Sequence, residues 1–230
     1  TIKEISTSTN KEDAVRRCIK GYDCSFTAKE KLKHIVSKEA FNIEGLGKKV
    51  IDQFWDLKII NTPSDIFKLN YNKINNLEGW GDLSIKNLKK AINKARVVTL
   101  NRFIYSIGIR HIGQENAKIL AGFFISIKKF TFLFNPNKRK EILVNLVELD
   151  GIGETQIQSI ENFFLNKTNT RIIENLITKL NIKDYVAQNS DGKFSNKKLM
   201  FTGGFKDMSR SEAKEIAENN GGKVLGSISK

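Results

Sequence analysis

Four short turns in this sequence could hold an anion without any charged side chain. They are Gly45-Leu46-Gly47, Gly79-Trp80-Gly81, His111-Ile112-Gly113 and Gly151-Ile152-Gly153. Each follows an apolar residue and opens a stretch of amphipathic helical periodicity. A glycine–apolar–glycine turn between two helices needs backbone angles that residues with a Cβ tolerate poorly. With no side chain in the way, backbone N–H groups can approach a ligand closely. The helix that follows adds its own unpaired N–H groups and the positive end of its dipole. A phosphodiester oxygen suits that arrangement. The middle apolar residue is expected to turn inward as an anchor. Contacts of this kind fix position on a nucleic acid and do not read its sequence.

One such turn carries little information, because the same glycines also make plain αα-hairpins in a helical bundle. Four of them, about 30 to 40 residues apart, form an internal repeat. The third copy departs from the pattern, with His111 in place of the first glycine. A protonated His111 would favour a phosphate, but the plainer reading, in which it caps the turn, is preferred. Its neighbour Arg110 keeps its charge at any pH and is the better phosphate partner. Lys48 and Lys49 follow the first turn, Lys86 lies within the helix of the second, and Lys118 lies beyond the third. The fourth turn is followed by Glu154 and has no adjacent base, which leaves a purely structural role open. The candidate DNA-contacting residues are Gly45, Gly47, Gly79, Gly81, Gly113, Gly151 and Gly153 with these five basic side chains. Trp80 is assigned to the core, not to base stacking.

The whole chain is consistent with a polyanionic partner. Its 230 residues carry 39 Lys and Arg against 25 Asp and Glu, a net charge of +14. Nucleic acid comes before membrane, since no basic amphipathic anchor or long apolar span is present. A lysine-rich solvated surface is the bland alternative. Two cysteines, Cys18 and Cys24, are too few for a disulfide scaffold. The chain begins at Thr1 and stops at Lys230 in mid-pattern, so it is treated as a segment of something longer.

These turns need helices to position them. Residues around 28–37 carry helical periodicity, and the pattern stays helical from about 40 to 180. A polar stretch, 188–196, has the composition of a linker. After it come a short β-like run at KKLMFT and a helix with Ser209 and Glu212 placed as a capping box. Gly221-Gly222 ends that helix, and KVLGSIS suggests a second strand.

The stretch SKEAFNIEGLGKKVIDQFWDLKIINTPSDIFKL (37–69) resembles the bacterial NAD-dependent DNA ligases. The likeness continues through LEGWGDLSIKNLKKAI (77–92), TLNRFIYSIGIRHIGQENAKIL (99–120) and LDGIGETQIQSIENFF (149–164). The resemblance implies a mainly α architecture. A tandem helix-hairpin-helix domain over 37–187 would grip nicked double-stranded DNA, between part of a small zinc module (1–36) and a partial α/β BRCT domain (197–230). In the family a four-cysteine zinc module precedes the hairpins, with its second pair spaced as in RRCIKGYDC (16–24). Cys18 and Cys24 would then be the last two metal ligands, half of a structural zinc site that needs four. The tail, 197–230, is similar to the start of a BRCT domain. Thr202-Gly203 sits where relatives can hold a phosphate, although a strand end turning at glycine is the plainer reading. Such a partial domain should leave Leu199, Phe201, Ile216 and Val224 exposed.

The implied parent reaction seals a 3′-hydroxyl/5′-phosphate nick, with AMP passing from NAD to a lysine and then to the 5′-phosphate. That lysine belongs to a K-x-D-G motif, and none occurs here. No catalytic residue is therefore assigned, and NAD and Mg would be bound outside this segment. The resemblance also implies a cytoplasmic, nucleoid-associated protein with no membrane contact and no obligate protein partner. The alternative is a non-enzymatic hairpin module of another repair or recombination protein.

Overall fold

The computed structural model describes residues 18, 21–187, 192–206, 208 and 210–225. They divide between two compact units, Thr1–Asp184 and Tyr185–Lys230.

The first unit is built from α1 (Ser25–Val36), α2 (Lys48–Asp56), α3 (Pro63–Ile66), α4 (Tyr71–Asn75), α5 (Asp82–Ala95), α6 (Leu100–Ser106), α7 (Gln114–Phe124), α8 (Ile127–Phe130), α9 (Pro136–Leu146), α10 (Glu154–Leu165) and α11 (Lys167–Ile177). Apolar residues at helical spacing explain the inward faces. Helix α1 buries Ala28, Leu32, Ile35 and Val36, and α2 buries Ile51 and Phe54. The centre is a chain of edge-on rings. Phe130 lies 6.0 Å from Phe103, 5.2 Å from Phe124 and 5.8 Å from Phe164. Burying each such side chain is worth roughly 2–3 kcal/mol.

Two short strands close the unit. β1 (Val97–Thr99) pairs in parallel with β2 (Asn181–Lys183), Val98 opposite Ile182. The third and fourth glycine turns lie in the crossover between them. Arg96 reinforces this closure by donating to the carbonyls of Lys179 at 3.1 Å and Phe67 at 2.6 Å. Arg139 is buried and donates to the carbonyls of Leu133 and Phe164.

The second unit is small. β3 (Lys198–Leu199) and β4 (Lys223–Val224) pair in parallel, with α12 (Arg210–Asn219) between them in sequence. Gly203 turns the chain beyond β3 with φ +75°, and its carbonyl accepts from Arg210 Nε at 2.8 Å. Leu199, Phe201 and Val224 are half-buried and Ile216 is exposed. Ser209 and residues 188–191 and 226–230 lie outside the described residues.

Candidate nucleic-acid interface

All four turns have one backbone. The first position has positive φ: +90° at Gly45, +83° at Gly79, +59° at His111 and +87° at Gly151. The apex N–H donates three residues back, from Leu46 to Ile43, Trp80 to Leu77, Ile112 to Ile109 and Ile152 to Leu149, at 3.0–3.2 Å. The third position is the N-cap of the next helix, in extended conformation, at Gly47, Gly81, Gly113 and Gly153. Its carbonyl accepts the first helical bond, from Ile51, Ile85, Ala117 and Ile157.

The two glycine positions therefore have different reasons to be glycine. The first needs its backbone angle. The histidine in the third turn meets that same need, with the strain that a side chain brings. The second does not, because Gly47, Gly81 and Gly113 have ordinary negative φ. The sequence-based expectation of demanding angles thus holds at one end of each turn only. Among the described residues, a methyl group at Gly47, Gly81 or Gly113 would meet nothing within 4 Å. Neither backbone strain nor packing among the described residues forbids a side chain at these three positions.

Capping tells the same story. Asn70, Ser126, Asn135 and Asn166 cap the helices they precede with their own side chains. Among the described residues, helices α2, α5 and α7 have no side-chain cap, and their first turns are largely exposed. The fourth turn is different: Gln156 Oε1 accepts from the Gly153 N–H at 3.2 Å.

The turns associate in two pairs. Phe54 on α2 lies 5.4 Å from Trp80, the apex of the second turn. In return, Leu88 on α5 comes within 3.5 Å of where a Gly45 side chain would start. In the second pair, Asn116 Nδ2 on α7 donates to the Gly151 carbonyl at 2.9 Å, and a methyl group at Gly151 would lie 2.8 Å from Ile119. The apex residues Leu46, Ile112 and Ile152 are buried, as expected for anchors, and Trp80 is half-buried.

Charge separates the first turn from the rest. Lys48 and Lys49 are exposed at the positive end of α2, where lysines oppose the helix dipole by roughly 0.3–1 kcal/mol each. Asp82, Glu115 and Glu154 occupy the first turns of α5, α7 and α10, where acids favour the helix. Lys86 is exposed, while Arg110 and Lys118 are half-buried. The two lysines thus sit where stability disfavours them and an anion would favour them.

Cys18 and Cys24 come together just ahead of α1. Cys24 is its N-cap residue, and the Thr27 backbone N–H, the Thr27 hydroxyl and the Cys18 thiol lower its thiol pKa to about 7. A thiol biased toward thiolate beside a second thiol fits two ligands of a tetrahedral metal site. Among the described residues no cluster of three or more His, Cys, Asp or Glu completes one.

Sequence reasoning missed the side chains that hold α1 in place. Lys31 Nζ donates to the Gly108 carbonyl at 3.2 Å, and His34 Nε2 is 2.9 Å from the Tyr105 carbonyl. Lys31 also lies over the rings of Tyr22 and Phe163, 5.4 and 5.3 Å from their centroids. Burial lowers the Lys31 pKa to about 8 and pushes the Tyr22 hydroxyl upward. On another side of α1, Lys29 pairs with Asp52 and Asp56, and Lys33 with Asp52. Lys31 sits next to the apolar positions Leu32 and Ile35, yet the sequence holds no local sign of its distant partner.

Comparison with known proteins agrees with this arrangement. The family model described as "Helix-hairpin-helix motif" matches residues 102–173, which contain the third and fourth turns. The first and second turns lie outside that match but have the same backbone. The model for the "BRCA1 C Terminus (BRCT) domain" matches residues 189–230. A DNA ligase of Pelagibacter ubique (strain HTCC1062) is 50% identical over 100% of this chain and 34% of its own length. DNA ligases of Azorhizobium caulinodans and Rickettsia prowazekii are 36% and 41% identical over 99% and 95% of this chain. The chain is similar, end to end, to a C-terminal segment of bacterial DNA ligases. It spans about a third of the length of those ligases. Its mainly helical fold, with a hairpin region followed by a BRCT match, is the architecture expected from the sequence.

Proposed function

We propose that this chain is the DNA-gripping part of an NAD-dependent DNA ligase that seals 3′-hydroxyl/5′-phosphate nicks. Its glycine turns hold the sugar–phosphate backbone of nicked duplex DNA, and catalytic groups elsewhere in the parent act on the nick. The observation that carries this reading is the exposed helix starts at Gly47, Gly81 and Gly113, which no side chain among the described residues caps and where even an added Cβ would meet none of them. Lys48 and Lys49 at the first turn add the charge a phosphate requires.

The contribution of this segment to the reaction is positional. Backbone amides and lysines orient the duplex so that remote groups meet the nick in line. No side chain here is assigned acid, base or nucleophilic work, and NAD and Mg²⁺ belong to the parent outside this segment. Residues 1–36 are assigned to the end of a zinc module, 37–187 to the hairpin domain, 188–196 to a linker and 197–230 to the start of the BRCT domain. Cys18 and Cys24 would supply half the ligands of a structural zinc, which would fix the chain ahead of α1. As part of a ligase, the protein would act in the bacterial cytoplasm at the nucleoid.

The test is the salt dependence of duplex binding. Contacts with about six phosphates would weaken affinity by roughly 10³-fold between about 50 and 200 mM salt. A flat salt dependence, or no duplex binding at low salt, would contradict the proposal.

A further inference from the structure

Helix α1 lies between the two hairpin pairs, and its contacts with them are of different kinds. Towards the first pair, Lys29 and Lys33 reach Asp52 and Asp56 on α2, the helix that starts at Gly47. Towards the second pair, Lys31 Nζ and His34 Nε2 reach the carbonyls of Gly108 and Tyr105. Those carbonyls lie at the C-terminal end of α6, where cations are favoured, and the Tyr105 carbonyl also accepts from the Gly108 N–H at 3.2 Å. The segment just after them is Ile109–Gly113, the third turn. Phe163, whose ring packs against Lys31, belongs to α10, the helix of the fourth turn.

Gly108 shows how closely α1 approaches. Its φ is +65°, and a methyl group there would lie 3.4 Å from His34 Cδ2 and 3.8 Å from Lys31 Nζ. One helix, fixed on its apolar face by Leu32 and Ile35, thus holds the helix of the first turn and the loop that launches the third.

We propose that α1 is a strut that sets the spacing between the first and second hairpin pairs, with Lys31 and His34 as positioning residues for DNA binding. The inference rests on the reading that the turns hold duplex DNA. Two sites held at a fixed spacing bind a long duplex together, so the second contact benefits from a high effective concentration. If that spacing wanders, each pair still binds but the advantage is lost. Lys31 and His34 touch no DNA in this account. Their effect is confined to the joint use of both pairs.

The experiment compares two DNA probes on the full 230-residue chain. One is a stem-loop of about half a helical turn, and the other a duplex of about two turns. The wild-type chain should favour the longer duplex by at least about tenfold. In Lys31→Met/His34→Ala the preference should fall to about twofold while stem-loop affinity holds, and Lys31→Arg should keep most of it. Asp52→Asn/Asp56→Asn changes one half-buried and one exposed surface side chain without altering their size, so it should fold and lose part of the same preference. An unchanged preference in both double variants would overturn the strut. So would equal losses on both probes, which indicate general destabilisation. A wild-type chain that binds neither probe would instead overturn the DNA reading on which the strut rests.

Discussion

Gly45-Leu46-Gly47 and Gly151-Ile152-Gly153 trace the same turn, with first-position φ of +90° and +87° and buried apexes. What surrounds the two differs. Among the described residues no side chain caps the helix start at Gly47, an added Cβ there would meet nothing within 4 Å, and two exposed lysines follow. The amide of Gly153 donates to Gln156, the Gly151 carbonyl is taken by Asn116, and Glu154 stabilises the helix start. The helix of the fourth turn also sends Phe163 to Lys31 on α1. The first turn is equipped to meet something outside the protein, while the fourth is committed to contacts within it. A shared backbone motif therefore does not assign a shared task. The task depends on whether the exposed amides are left free.

The largest effect that would sharpen this contrast is on stability. Gly151→Ala puts a side chain at positive φ against Ile119 and should destabilise the fold by about 2–3 kcal/mol in urea denaturation. Gly45→Ala has the same positive φ but would make only ordinary contact with Leu88 at 3.5 Å, so it should cost less, about 1 kcal/mol. Equal losses at the two sites would break the comparison.

A smaller effect concerns pH and the inward-facing side. The Lys31 pKa near 8 lies below the ordinary lysine value of 10.5, because burial disfavours the charged form. Between these values the unfolded chain holds the extra proton, so stability contributed at this site rises as pH rises through the window. Burial keeps the Tyr22 hydroxyl neutral there. Stability of the wild-type chain relative to Lys31→Met should therefore climb from about pH 8 to 10.5, by an amount on the order of 1 kcal/mol. Thermal melts across that range would read it, and a difference independent of pH would remove Lys31 from the buried side.

The hairpins were legible because their signals are local. A glycine able to take positive φ, an apolar anchor and an amphipathic helix fall within a dozen residues. The BRCT-like tail was legible for the same reason, although its first strand forms only over Lys198–Leu199. The second glycines are visible in the sequence, but the reason for them is not. Ordinary φ at Gly47, Gly81 and Gly113 moves the reason from the backbone angle to the exposed surface at the helix start. The pairing of β1 with β2 was not legible. Val97–Thr99 and Asn181–Lys183 are too short to show alternation, and their partnership depends on the intervening helices folding back. The bond from Lys31 to Gly108 likewise joins residues 77 positions apart and leaves no trace in either neighbourhood.

The central claim is that the open glycines face the DNA backbone. Gly47→Val/Gly81→Val and Gly153→Val should be compared for binding a nicked duplex, with melting curves to show that each is folded. The account predicts a loss of at least about tenfold for the first variant, whatever the DNA sequence, and less than about threefold for the second. A folded Gly47→Val/Gly81→Val variant with wild-type affinity would contradict it.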